Sequence, residues 1–97
     1  MNMEIQNHTE LSKYIVFTES RQGFLGARLR FEFPNGYGAS LIDYGYGAQE
    51  GLFEIAVLDS EGGIDYTTPI TDDVCGRLDA QQVRDTLQAI MQLPKKV

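Results

Sequence analysis

Apolar and polar positions alternate most cleanly at residues 27–33, where Ala27, Leu29, Phe31 and Phe33 interleave with Arg28, Arg30 and Glu32. A period of two puts one set on a buried face and the other on a wet one, which predicts a half-buried β-strand. Pro34, Asn35 and Gly36 follow: Pro34 presets φ and Gly36 accepts a positive φ. The extended pattern then resumes in "YGASLID", so the pair predicts a β-hairpin in which Asn35 and Gly36 do turn work.

Residues 51–59, "GLFEIAVLD", carry Phe53, Ile55 and Val57 on one face and Leu52, Ala56 and Leu58 on the other. Apolar side chains on both faces predict an interior strand. "DSEGG" supplies the next turn. "IDYTT" predicts a short returning strand, with Ile64 and Tyr66 on one side, ended by Pro69 because proline cannot donate to a ladder. Nearer the N-terminus, Leu11, Tyr14, Ile15 and Thr18 fit a helical spacing, yet the β-branched and aromatic content of "YIVFT" favours a strand at 14–18 with "SRQG" as a turn.

The C-terminal region has the fullest local signature. Asp79 is placed to cap a helix, Gln82 completes a capping box, and Val83, Leu87, Ile90 and Met91 form one apolar stripe. A helix over 80–93 follows, stopped by Pro94. Just before it, "TDDVCGRL" predicts a single helical turn, with Thr71 as cap and Asp72 and Asp73 at the positive end.

Together these elements give one α+β domain spanning 1–97: a meander-like antiparallel sheet of four to five strands, packed by one C-terminal amphipathic helix. It divides into an N-terminal extension at 1–26, a β-meander core at 27–68, and a turn and helix at 69–97. The predicted core is Leu29, Phe31, Phe33, Phe53, Ile55, Val57, Leu87 and Ile90. A chain of 97 residues has room for one such core.

Charge adds a second theme. Between Phe31 and Gly76 there is no Lys or Arg, while nine acids fall in that stretch: Glu32, Asp43, Glu50, Glu54, Asp59, Glu61, Asp65, Asp72 and Asp73. Such a block disfavours nucleic-acid backbones and anionic lipid and steers a basic partner. Acids on loops and wet strand faces also serve solubility alone. No apolar run approaches membrane-spanning length, and the first residues lack a secretory pattern, so a cytoplasmic protein is expected.

Candidate chemistry is sparse. The single Cys75 has no internal disulfide partner, and Val74 and Leu78 beside it suit a buried spacer. The only histidine, His8, lies far away in a polar stretch, leaving a Cys-His site, a Ser-His-Asp triad and a tetrahedral zinc site all short of members. No catalytic residue, metal or cofactor is therefore expected. Asp59, Glu61 and Asp65 have a spacing faintly like a calcium loop, but Ile70 stands where its last carboxylate belongs. Glu54, in an apolar strand, calls for Arg28 or Arg30 as a cross-strand partner. "GYGAQEG" is no phosphate loop, because no helix follows its glycines and no lysine is near. What "DYGYGAQEG" offers is aromatic contact area at small entropy cost, making Asp43, Tyr44, Tyr46 and Glu50 the candidate protein-binding surface. Packing of Tyr44 or Tyr46 over the sheet edge is the alternative.

From Leu29 to Leu93, "FPNGYGAS", "GYG", "EGLFEIAVLD", "TPITDDV" and the terminal helix resemble small uncharacterised proteins of tailed bacteriophages and prophages. The resemblance implies residence in a bacterial host cell and brings no catalytic residues with it. Two non-enzymatic functions are then expected. One is an interaction protein, such as an inhibitor of a host enzyme or defence complex, that meets a basic protein partner through the acidic Tyr-rich surface. The other is a structural or assembly accessory that self-associates as a homodimer through an exposed strand edge.

Overall fold

The computed structural model describes residues 11, 13–20, 26–45, 47–71 and 74–95. Its strands are β1 (Ile15–Ser20), β2 (Ala27–Glu32), β3 (Gly38–Ile42), β4 (Phe53–Leu58) and β5 (Cys75–Leu78), followed by helix α1 (Ala80–Met91). The five strands form one sheet in sequential order, with every neighbouring pair antiparallel. The chain is thus an α+β domain with one C-terminal helix packed on the sheet. No helix among the described residues is long and apolar enough to cross a membrane.

Register explains where the core sits. Leu29 pairs with Leu41 and Phe31 with Ala39 across β2 and β3, while Leu41 pairs with Ile55 and Ala39 with Val57 across β3 and β4. Directly paired residues share a face, so these side chains stack as one apolar layer. Val83, Leu87 and Ile90 of α1 bury into it, and Leu11 joins from the N-terminal side. Phe33 stacks on Phe31 and meets Tyr14 edge-on, with ring centroids 6.0 and 5.4 Å apart. Phe53 is half-buried and packs against the core from its margin.

Two expectations change along the far side of β4. "IDYTT" makes a single bridge, Ile64 opposite Leu58, followed by the Asp65 N–H donating to the Val57 carbonyl. The chain then leaves the sheet and returns as β5, where Cys75 pairs with Ile55 and Leu78 with Phe53. The segment expected to form a helical turn is therefore a strand from Cys75 to Leu78. Pairing with the open side of β4 overrides the local cap signal, a tertiary effect that propensity does not see. Of the turn expected after Thr71, Asp72 and Asp73 lie outside the described residues. The expected strand at 14–18 is present as β1, shifted slightly; the "SRQG" turn falls largely outside the described residues.

Both ends of α1 are tied down. The Asp79 side chain accepts from the Gln82 N–H at 2.8 Å while the Gln82 side chain accepts from the Asp79 N–H at 2.9 Å, completing the capping box. At the other end the Asn35 amide, at the tip of the β2–β3 hairpin, donates to the carbonyls of Ile90, Met91 and Leu93 at 2.8, 3.1 and 3.1 Å. The Ile90 carbonyl also accepts from the Leu93 N–H, so the Asn35 amide adds to the backbone bonds at a helix end whose last carbonyls have few helical donors. The Asn35 carbonyl accepts from the Tyr37 N–H, and Gly36 sits at φ 89°, so the turn reading holds while the capping role is added.

Among the described residues no helix covers the opposite face of the sheet. Gly38 and Ser40 keep its centre low, and Arg28 reaches across β3 to donate from Nε to Ser40 Oγ at 3.1 Å. Gly62 packs on the guanidinium of Arg30 and Gly45 on the carboxylate of Glu54, so two loops fold over the ends of this face.

Leu87→Ala should destabilise the domain by ~2–5 kcal/mol, since the site is fully buried. Asn35→Ala should cost about 1–3 kcal/mol. Asn35→Asp should cost at least as much, because a carboxylate cannot donate and opposes the negative helix end. Urea unfolding monitored by circular dichroism reads all three.

Candidate functional site

The four residues expected to form a binding surface are treated differently by the fold. Asp43 is only 2% exposed. Its Oδ1 accepts from the Ala27 N–H at 2.7 Å, and its own N–H donates to the Ala27 carbonyl at 3.3 Å. The open end of the β2–β3 hairpin is thereby closed by a side chain that sequence reading had placed in solvent. The reason is that β2 begins with a donor that needs a partner inside the protein. Asp43 Oδ2 is buried without a hydrogen-bond partner.

Tyr44 is half-buried, its ring lying against Gly26, where no larger residue would fit beside it. Tyr46 lies outside the described residues. Glu50 is exposed at the end of a short 3-10 turn (Ala48–Glu50) and forms an ion pair with Arg77 at 2.5 Å. Arg77 holds a positive φ of 56° within β5, where the ladder to β4 shifts register. A bulge of this kind re-aims a side chain, here towards Glu50. The loop thus contributes one buried anchor, one half-buried ring and one exposed acid.

Much of the acidic block serves the backbone. Asp59 Oδ1 accepts from the N–H groups of Glu61 and Gly63 at 2.9 and 3.0 Å. Asp65, 6% exposed, accepts from the N–H and the hydroxyl of Thr67. These are Asx-type turns, as expected in place of a calcium loop. Among the described residues no group of His, Cys, Asp or Glu side chains converges to hold a metal. Glu32 lies 3.6 Å from Arg30, and Arg28 Nε donates to Ser40 Oγ.

Where the two loops overhang the helix-free face, a cleft of about 260 Å³ remains. Ser40, Ala56 and Leu58 lie towards its floor, Ile64 and Val74 form an apolar side, and Arg28, Tyr44 and Glu54 bring the polar groups. Arg28, Ile42 and Glu54 occupy one rung across β2, β3 and β4, so opposite charges flank Ile42 on the same face. This cleft was not foreseen; its only sequence trace is the glycines at 45 and 62 that let the loops come close.

No family model, curated protein or solved structure matches the chain. Function has to be read from the surface itself. Cys75 offers little reactivity: burial pushes its thiol above the ordinary value, and a hydrogen bond with Thr71 only partly offsets that. His8 lies outside the described residues.

Among the described residues, four large apolar side chains reach solvent, one of them at the cleft. Val16 and Phe17 of β1 are 53% and 46% exposed, and Ile64 and Tyr66 are 43% and 53% exposed.

Asp43→Ala should cost about 1–3 kcal/mol by stranding the Ala27 N–H. Glu50→Lys should shift stability by no more than about 0.5–1 kcal/mol, as befits an exposed pair. Thermal and urea unfolding of the two variants distinguishes anchor from surface acid. Because the folded thiol of Cys75 holds its proton to higher pH than an unfolded one, alkylation should be slower in the folded chain at neutral pH. The thiol's contribution to stability should be present below the ordinary thiol range and be lost as pH rises through the folded value.

Proposed function

We propose that this protein is a small non-catalytic interaction module whose principal contact is the outer edge of β1, unpaired among the described residues. The observation that carries the reading is the pair Val16 and Phe17, both about half-exposed on a six-residue strand at the end of the sheet. An edge strand with apolar side chains in water is a template for another chain. The opposite edge is shorter: β5 has four residues and an arginine in left-handed backbone, while both outer ladders carry a register shift, in β1 between Ile15 and Phe17. Self-association as an assembly accessory is the simplest use of such an edge.

A second reading rests on the exposed acids. The side chains of Glu32 and Glu50 are 61% and 56% exposed, and Glu61 is exposed too. They support electrostatic steering of a basic protein. In the phage setting that the sequence resemblance suggests, a host enzyme or defence complex would be that partner. Diversion of Asp43, Asp59 and Asp65 to backbone N–H groups thins this surface and ranks the edge first.

Sedimentation velocity over a range of concentrations, with capture from host lysate at low and high salt, tests both readings. Phe17→Asp should leave the fold intact and abolish self-association or partner retention, with little salt dependence. A contact that survives Phe17→Asp but vanishes in Glu32→Lys/Glu61→Lys, or at high salt, would transfer the function to the acidic surface. A chain that stays monomeric and retains nothing at either salt concentration would sink both.

A further inference from the structure

We infer that the cleft on the helix-free face binds a small aliphatic zwitterion of the α-amino acid class, with Arg28 receiving the carboxylate, Glu54 the ammonium and the apolar side the hydrocarbon chain.

Charge placement is the first argument. Arg28 and Glu54 stand on one rung with Ile42 between them, two strand spacings apart, which is about 9.6 Å between their backbones. The Arg28 guanidinium is drawn over β3 by its Nε bond to Ser40, and its terminal N–H groups are donors of the kind a carboxylate takes. On the other side, the Glu54 carboxylate lies under Gly45 beside Ile42. A carboxylate has several acceptor positions, so existing contacts of Glu54 are compatible with a further ammonium donor. A molecule carrying both charges a few ångströms apart bridges the rung; a singly charged one leaves one wall unmatched.

Size and polarity are the second argument. At about 260 Å³ the cleft lies below the usual range of pockets for drug-sized ligands, which suits a small molecule such as valine or leucine. Ala56 and Leu58 are 8% and 2% exposed at the floor, whereas Ile64 is 43% exposed and gains cover from an aliphatic side chain.

The test uses the full isotope-labelled chain, titrated by NMR with L-leucine, isocaproate, which lacks the ammonium, and isoamylamine, which lacks the carboxylate. Leucine should shift the amides of Ser40, Ile42 and Ala56 at millimolar concentration, and each analogue should bind at least about tenfold more weakly, the loss of one charge-assisted hydrogen bond. Glu54→Gln should erase the advantage of leucine over isocaproate, and Arg28→Gln its advantage over isoamylamine. The analogue comparison on the parent chain stands even where a variant fails to fold. Shifts confined to other surfaces, no shift with leucine, or equal binding of leucine and isocaproate would each overturn the assignment. Loss of leucine binding in Phe17→Asp would also overturn it, by tying the cleft to the β1 contact.

Discussion

A single side-chain amide holds the two layers of this domain in register. Asn35 sits on the tip of the β2–β3 hairpin and donates into the carbonyl end of α1. A twelve-residue helix is too short to stand alone in water, so it depends on the sheet both for apolar cover and for satisfaction of its final carbonyls. With Asp79 and Gln82 fixing the start and Asn35 the finish, Val83, Leu87 and Ile90 have one way to settle on Leu29, Leu41 and Ile55. The hairpin tip is thus part of the packing and more than a connection.

The same economy governs the acids. Their number suggests a charged surface, yet geometry turns several inward, onto N–H groups that strand ends and turns leave open. A short domain with many turns has many such donors and few other acceptors within reach. What remains outside is a mixed face, in which Arg28 and Arg30 lie across the low centre of β3 and acids stand at its ends. Negative net charge and negative surface are different quantities in this molecule.

How much could be read from the sequence depended on the range of the interactions involved. The helix was legible because its cap, its stripe and its stop lie within fifteen residues of one another. β2, β3 and β4 were legible because their alternation records which face is dry. β5 was not: Cys75 to Leu78 becomes a strand only because β4 presents an unpaired edge, and that is not written in the four residues themselves. Asp43 was misplaced for a related cause, since its acceptor role is decided by Ala27, sixteen residues away. Asn35 was assigned to its turn correctly, while its larger task depended on carbonyls fifty-five or more residues distant. The cleft has no local signature at all, because it is the space left between two loops and a sheet.

The excursion along β4 has an implication for how such a protein can change. The chain is pinned opposite Leu58 at Ile64 and again opposite Ile55 at Cys75, and between these points it lies outside the ladder. Loop length there is decoupled from strand register. Because closure entropy rises only with the logarithm of length, each doubling costs roughly 0.6 kcal/mol. Thr68 is buried and Ile70 packs against the core, so the exposed Tyr66 is where a lineage could lengthen the chain, or an engineer could display a foreign epitope, with least disturbance to the scaffold.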